Sequence, residues 1–493
     1  MGNFFQELKR RKVVRVAIAY AAAAWLLMQV ADVVIPAAGL PESVLRYSLI
    51  ALVVGFPIVL VLAWVFEWTP QGIRRDPSDQ MEGEPSSLVA NSINSNKEST
   101  VKSIAVLPFA NLSQNTEEEY FCDGLVEDII TDLSLLHSLL VISRNSTFAY
   151  KESSLDIRTI ARELGAGFVL QGGVRRVGNR LRVTAQLVDA TSGENTWSKK
   201  YDSDSEDLFA IQDEITSDIV DTLEVRLVSG EHARIRRSRI KTAAGREVLY
   251  RGMYHHYKYE ESESSIAKQY FEELTRLEPD SILGYGWLTH SLGFSLIVGW
   301  LEPTTGLKLL KENVDKCLAI DDEDPFALIG DTIYKGITSD HEGALAVATK
   351  NVELAPNLDD AHRLLGWIQM LNGDSKAAVK SLKRSMKLCP VMVAISYGLL
   401  GTAYRNAGLY DESIEIFNDC TEHFPEFYHA HVGLATIYTV RGETEKARKE
   451  VEHILRVVPN YTVKQYLTPN MYKNKAEFEY WGQVLEEAGI PAE

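Results

Sequence analysis

The chain has 493 residues, of which 45% are hydrophobic and 24% charged, and its formal net charge is −17. That length exceeds one domain, so several modules are expected. The acidic balance argues against nucleic acid as the main partner, because phosphate binding needs a concentrated basic face.

The first module is basic and then apolar. Residues 1–12 end in Lys9-Arg10-Arg11-Lys12 and are expected to form a basic cytoplasmic N-terminus. An apolar run follows from Val13 to Ile35, interrupted by Arg15, Gln29 and Asp32, and a second run goes from Tyr47 to Phe66. Each is near the length of about 20 residues that crosses a bilayer. Pro36 to Ser43 makes a tight turn between them, and Trp64 and Trp68 stand where interfacial aromatics belong. Residues 13–68 therefore predict a two-helix transmembrane hairpin. A cleaved signal peptide fits less well, since its apolar core is shorter and no second span follows it. Arg74 and Arg75 follow the second span, while the turn carries only Arg46, opposed by Glu42. Basic flanks stay cytoplasmic, so the bulk of the chain is expected at the cytoplasmic side of a bacterial inner membrane.

Residues 69–101 are rich in Ser, Asn, Glu, Pro and Gly and predict a flexible linker. Order resumes with a strand at Lys102–Phe109, then a helix with Leu125, Ile129, Leu133 and Leu136 on one face. A strand at Leu139–Ser143 and a helix at Ile157–Leu164 stopped by Gly165 come next. Phe168–Val177 and Arg180–Asp189 read as a hairpin joined at Gly178-Asn179, followed by a strand at Thr196–Tyr201 and a helix from Ser205 to Leu227. This order implies a compact α/β layer with a mixed sheet over 102–228. The stretches "SIAVLPFANLSQNTEEEYFCDGLVEDIITDLS", "VISRNSTFAYK" and "ELGAGFVLQGGVRRVGNRLRVTAQLVDATSGENTWSKKYD" resemble the TolB N-terminal-like domain. The resemblance implies a domain that stands in bacteria beside transmembrane helices and repeats, or after nucleotide cyclase or winged-helix domains. It implies architecture and no chemistry.

Residues 229–473 carry a period. Pro356, Pro390, Pro425 and Pro459 recur at intervals of 34 or 35 residues, which means stacked helical hairpins. Leu365-Gly366, Ala378 and Leu382 precede Pro390; Leu400-Gly401, Tyr404, Gly408, Ser413 and Phe417 precede Pro425; Leu434-Ala435, Tyr438, Gly442, Ala447 and Val451 precede Pro459. This pattern resembles the tetratricopeptide repeat. Gly252, Tyr254, Ala267, Phe271 and Pro279 fit a first repeat, and a longer, irregular pair spans Ser281 to Asp322. About six helical pairs are expected. Residues 474–493 predict a cap helix, Ala476–Ala488, whose Phe478 and Trp481 seal the open end.

No catalytic constellation appears. There is no P-loop or nucleophile elbow, His341-Glu342 lacks the second His of a zinc protease, and adjacent His255-His256 make a poor metal pair. The acids at Glu117, Glu118, Glu119 and Asp123 suit a helix N-terminus. Cys122, Cys317, Cys389 and Cys420 stand far apart, without a metal or disulfide pattern. No cofactor, metal site or enzymatic activity is expected. The tetratricopeptide resemblance implies that first helices line a groove, whose candidate protein-binding residues are Asp360, Arg363, Trp367, Arg405, His429 and Thr436. Trp367 also suits packing between helices. The Lys/Asn clamp that some repeats use for a C-terminal carboxylate is not evident there. The expected class is thus multidomain: a transmembrane α-hairpin, a TolB-like α/β domain and an all-α tetratricopeptide solenoid. The expected function is a membrane-anchored scaffold for protein partners. The alternatives are a regulatory module acting on a separate nucleotide cyclase or transcription factor, and an envelope protein.

Overall fold

The computed structural model describes residues 66–69, 72–75, 102–113, 119–177, 180–204, 208–225, 240–467 and 471–493. It divides into two compact units, Met1–Ser99 and Thr100–Glu493. In the first unit, β1 (Phe66–Thr69) pairs antiparallel with β2 (Gly72–Arg75), and Glu67 opposes Arg74 in the register. Residues 66–68 were expected to end the second span, and 69–75 to open the linker. Aromatic and β-branched residues on either side of Pro70-Gln71 favour the strands instead. The rest of the expected hairpin and linker lies outside the described residues. Among the described residues no helix is long and apolar enough to cross a membrane.

The second unit opens with an α/β layer. Its elements are β3 (Lys102–Val106), β4 (Ala110–Asn111), α1 (Glu119–Ser134), β5 (Leu139–Val141), α2 (Arg144–Phe148) and α3 (Ile157–Leu164), then β6 (Phe168–Val177), β7 (Arg180–Asp189), β8 (Asn195–Asp204) and α4 (Leu208–Thr222). The sheet runs β5-β3-β6-β7-β8, with β4 beside β6. β3 is parallel to β5 and β6, whereas β6, β7 and β8 form an antiparallel meander. The mixed sheet follows from the connections. A two-residue link between β6 and β7 permits only antiparallel pairing, while helical crossovers join the parallel strands. The apolar face of α1 is fully buried through Leu125, Ile129 and Leu133, and Leu136, expected on the same face, is buried just beyond the helix end, each stabilising by about 1.5–3 kcal/mol. Gly165 caps α3 in the left-handed region at φ 65°, donating to the carbonyls of Ala161 and Arg162. At Gly172 a side chain would strike the Thr184 carbonyl and the Phe109 ring, so that glycine marks close packing. The strand expected at Lys102–Phe109 stops at Val106, and β4 is too short to show a period.

Among the described residues twelve helices follow as six pairs: α5 (Ala243–His256) with α6 (Glu261–Leu277), α7 (Ile282–Ile297) with α8 (Pro303–Ile320), α9 (Pro325–Ile337) with α10 (His341–Leu354), α11 (Asp359–Leu371) with α12 (Ser375–Leu388), α13 (Ala394–Asn406) with α14 (Tyr410–His423), and α15 (Tyr428–Val440) with α16 (Thr444–Val457). Each periodic proline stands one residue after a helix C-cap, at Ala355, Cys389, Phe424 and Val458. The helix must stop there, since proline has no backbone donor and restrains the residue before it. Side chains of Asp324, Asp340 and Asp374 cap the next helices by accepting backbone N–H groups. The small and bulky positions interlock within pairs. A Cβ at Gly252 would lie 2.5 Å from Phe271, and one at Gly366 would lie 2.6 Å from Leu382. Two helices end the chain, α17 (Val463–Leu467) and α18 (Lys475–Ala488).

Candidate protein interface

The first helices of successive pairs pack on one another, and among the described residues no second helix packs comparably on the next second helix. The array therefore curves with its first helices inside. His290 on α7 lies 3.5 Å from Asp360 on α11, two pairs further on, across that inner side.

The six expected groove residues fall into separate settings. Asp360 and Arg363 are neighbours: the guanidinium donates to one carboxylate oxygen at 2.5 and 3.2 Å. Burial opposes charge on Asp360, but Arg363 and the nearby histidines hold its carboxyl below the usual range. Beside it, Asp359 is pushed up by burial and by the Asp360 charge. Trp367 is only 6% exposed and closes on α9, where a Cβ at Gly336 would lie 2.8 Å from its ring. It packs between helices. Arg405 donates to Asn406 Oδ1 at 3.1 Å, to Thr436 Oγ1 at 3.2 Å and to the Tyr466 hydroxyl at 3.5 Å, and stacks on Trp481 at 4.1 Å. Thr436 is fully buried and donates to the Gly433 carbonyl. His429 is exposed beside the rings of Phe427 and Tyr428. Asp360 with Arg363, and Arg405 with Thr436, are thus two clusters; Trp367 and His429 belong to neither.

What the sequence did not disclose is that the α/β layer is seated on the array. Helix α1 crosses α5 where a Cβ at Gly124 would overlap the Tyr250 ring, so glycine is required for the approach. The Tyr250 hydroxyl donates to Asp128 at 2.5 Å, and the Tyr257 hydroxyl donates to Glu127 at 2.9 Å. Arg144, 3.3 Å from the second Glu127 oxygen, lies 3.7 Å from both the Phe148 and Tyr257 rings. Farther along, the Ser143 N–H donates to the Leu388 carbonyl at 2.7 Å, and the Val391 N–H to Ser146 Oγ at 2.8 Å. Asn357 Nδ2 donates to the Leu136 carbonyl at 2.7 Å. The layer is therefore bonded to the first and fourth pairs and to the turns on either side of the fourth. Of the acids noted near the start of α1, Glu117 and Glu118 lie outside the described residues, while Lys151 pairs with Glu119 at 2.6 Å and Asp123 at 2.8 Å. His255 bonds Glu263, while His256 is buried against Phe271 and Trp287, so the adjacent histidines point apart.

Glu127 makes this seam pH-dependent. Burial outweighs Arg144 and the Tyr257 hydroxyl and pushes its carboxyl up to about 7, with Asp128 and Asp360 adding repulsion. A docked value above the ordinary one means that the docked state favours the protonated acid. That contribution is complete below about pH 4.3 and is lost as pH rises through about 7. Asp359, also raised, acts in the same direction. Hydrogen-exchange protection of α1 and α5 is expected to fall over that range, and Glu127→Gln to flatten part of the fall. An unchanged profile in the variant contradicts the assignment.

Comparison with known proteins matches two separate parts of the chain. Residues 99–218 match the family profile of the HilA/YgeH-like transcriptional regulator, second domain. That description differs from the TolB-like one expected for the α/β layer. Residues 394–426 match the tetratricopeptide repeat. A Rhizobium meliloti (strain 1021) protein named "Putative adenylate cyclase 3" is 46% identical over 170 residues, which cover 34% of this chain and 27% of that protein. The tetratricopeptide repeat-containing protein trd-1 of Caenorhabditis elegans is 26% identical over 127 residues, covering 26% of this chain and 15% of that one. Among solved structures, YrrB, described as a TPR protein with an unusual peptide-binding site, aligns at a TM-score of 0.28 and 19% identity, covering 39% of this chain and 93% of its own. The chain thus spans about a quarter or less of the length of the curated relatives it matches.

Proposed function

We propose that this chain is a non-catalytic protein-interaction scaffold anchored in the bacterial inner membrane, with its second unit in the cytoplasm. The observation that carries the interaction part is the tetratricopeptide array itself: six helical pairs with an inner side formed by first helices. Such arrays present extended surfaces to other polypeptides. The anchor rests on the two apolar runs before residue 68 and the basic residues around them. The seated α/β layer means that any partner meets the layer and array as one body.

A second reading is favoured by one observation. The 46% identity to part of a protein named for adenylate cyclase suits a regulatory module that acts on a separate signalling enzyme. In both readings this chain binds protein and does no chemistry.

Two experiments test the proposal. Reporter fusions after Glu84 and at the C-terminus are expected to fluoresce with a cytoplasmic reporter and to lack alkaline phosphatase activity; phosphatase activity at either point sinks the topology. A photo-crosslinking residue in place of the exposed His429 is expected to capture a distinct protein in native membranes. Capture of a nucleotide cyclase selects the regulatory reading. Adducts confined to the chain itself count against the scaffold.

A further inference from the structure

Arg405 is a buried cation without a counter-ion. It is 3% exposed, and its donors reach only neutral oxygens, those of Asn406, Thr436 and Tyr466. Among the described residues no Asp or Glu pairs with it. Glu477, near Trp481 on α18, is instead held by Asn474 at the helix start. A charge withdrawn from water is ordinarily paired, because desolvation costs several kcal/mol per ion (about) and neutral dipoles offset it only partly. Against its guanidinium lies Trp481, 4% exposed, whose indole N–H has no hydrogen-bond partner. A buried cation without a counter-ion and a buried donor without an acceptor therefore meet at one place.

We propose that Arg405 and the Trp481 indole N–H form a carboxylate-binding site between α13, α15 and the C-terminal helices. Thr436 and Tyr466 orient the guanidinium, leaving part of its five-donor fork for a ligand. A planar carboxylate matches that fork in a bidentate manner. The surroundings favour a single negative charge over a phosphate: among the described residues Arg405 is the cation against Trp481, and the walls are aromatic, with Tyr472 stacked on Phe478 at 4.5 Å and Tyr466 at 5.1 Å from the same ring. The carboxylate belongs to a free organic acid or to an acidic side chain of a polypeptide. The site goes beyond the scaffold reading and stands without it.

Thermal unfolding of the full chain tests this. The probes are sodium acetate, against sodium chloride at equal ionic strength, and an acetylated, amidated tripeptide with one Glu. A saturable rise in Tm is expected with the carboxylates and not with chloride. Trp481→Phe keeps a ring against Arg405 but removes the N–H, and is expected to weaken the response about tenfold or more, the scale of a charge-assisted hydrogen bond. Arg405→Gln is expected to abolish it; should that variant not fold, Trp481→Phe decides alone. A response to acetate alone supports the site with a free acid as its ligand, and tighter binding of the tripeptide supports it with a polypeptide. No saturable response to either probe, or an equal response in Trp481→Phe, overturns the proposal.

Discussion

Phe417→Ala is expected to lower the unfolding free energy by about 3–5 kcal/mol, toward the upper end of that range. The ring is fully buried on α14 and fills the space between two first helices. A Cβ at Gly401 would lie 2.5 Å from it, and one at Gly433 would overlap it. The cavity left by truncation would therefore be walled by two glycines, which have no side chains to relax into it. Collapse would require α13 and α15 to move bodily, and Ser413 Oγ resists this by bonding the Gly401 carbonyl at 2.6 Å. Urea unfolding measures the loss. Tyr480→Ala, at a half-exposed position on α18, is the control and is expected to change stability by no more than about 0.5 kcal/mol. A loss at Phe417 no larger than the control's would mean that the fifth and sixth pairs are not joined through this ring.

Tyr250→Ala is expected to cost a similar amount, about 3–5 kcal/mol, but with a different signature. Its ring fills the crossing of α1 and α5, meeting Phe121 edge-on with centroids 5.8 Å apart. Its hydroxyl is the donor to Asp128. Tyr250→Phe separates the two contributions, because only the hydrogen bond to a charged acceptor is lost, worth about 1.5–3 kcal/mol. In the alanine variant, hydrogen exchange in α1 and α5 is expected to accelerate while α13 to α16 keep their protection. Uniform loss along the whole array would show that the layer and the repeats unfold as a single cooperative body. Unchanged protection of α1 would show that the crossing contributes little.

The repeats were legible because each proline forces a helix to end and each glycine permits a close approach, and both effects are local. The order of strands and helices in the α/β layer was legible for the same reason: Gly165 and the short link before Arg180 act on their own neighbours. The groove was harder to read. Trp367 and Arg405 have the residue types of binding anchors, yet the first is enclosed by α9 and the second is covered by Trp481 and Tyr466 from beyond the repeats. No periodicity reports such covering, since it joins segments with unrelated patterns. The contact between layer and array was invisible for a related reason. Ser143, Ser146 and Asn357 are ordinary residues at element ends, and only the fold brings them to Leu388, Val391 and Leu136.

Those bonds change how the solenoid ought to come apart. An isolated stack of repeats frays from its ends, and its stability is close to a sum over nearest neighbours. Here two of the bonds join residues 221 and 245 positions apart, so the layer acts as a chord across the arc of the stack. The first pair is no longer a free end, and mutations in the first and fourth pairs, though far apart along the array, are expected to combine non-additively. Closing the chord needs the array already formed, because a loop of that length is entropically costly until its ends are held together. Refolding is accordingly expected in two phases, rapid helical stacking and then a slower docking step whose rate, unlike the first, reports on Gly124 and Tyr250.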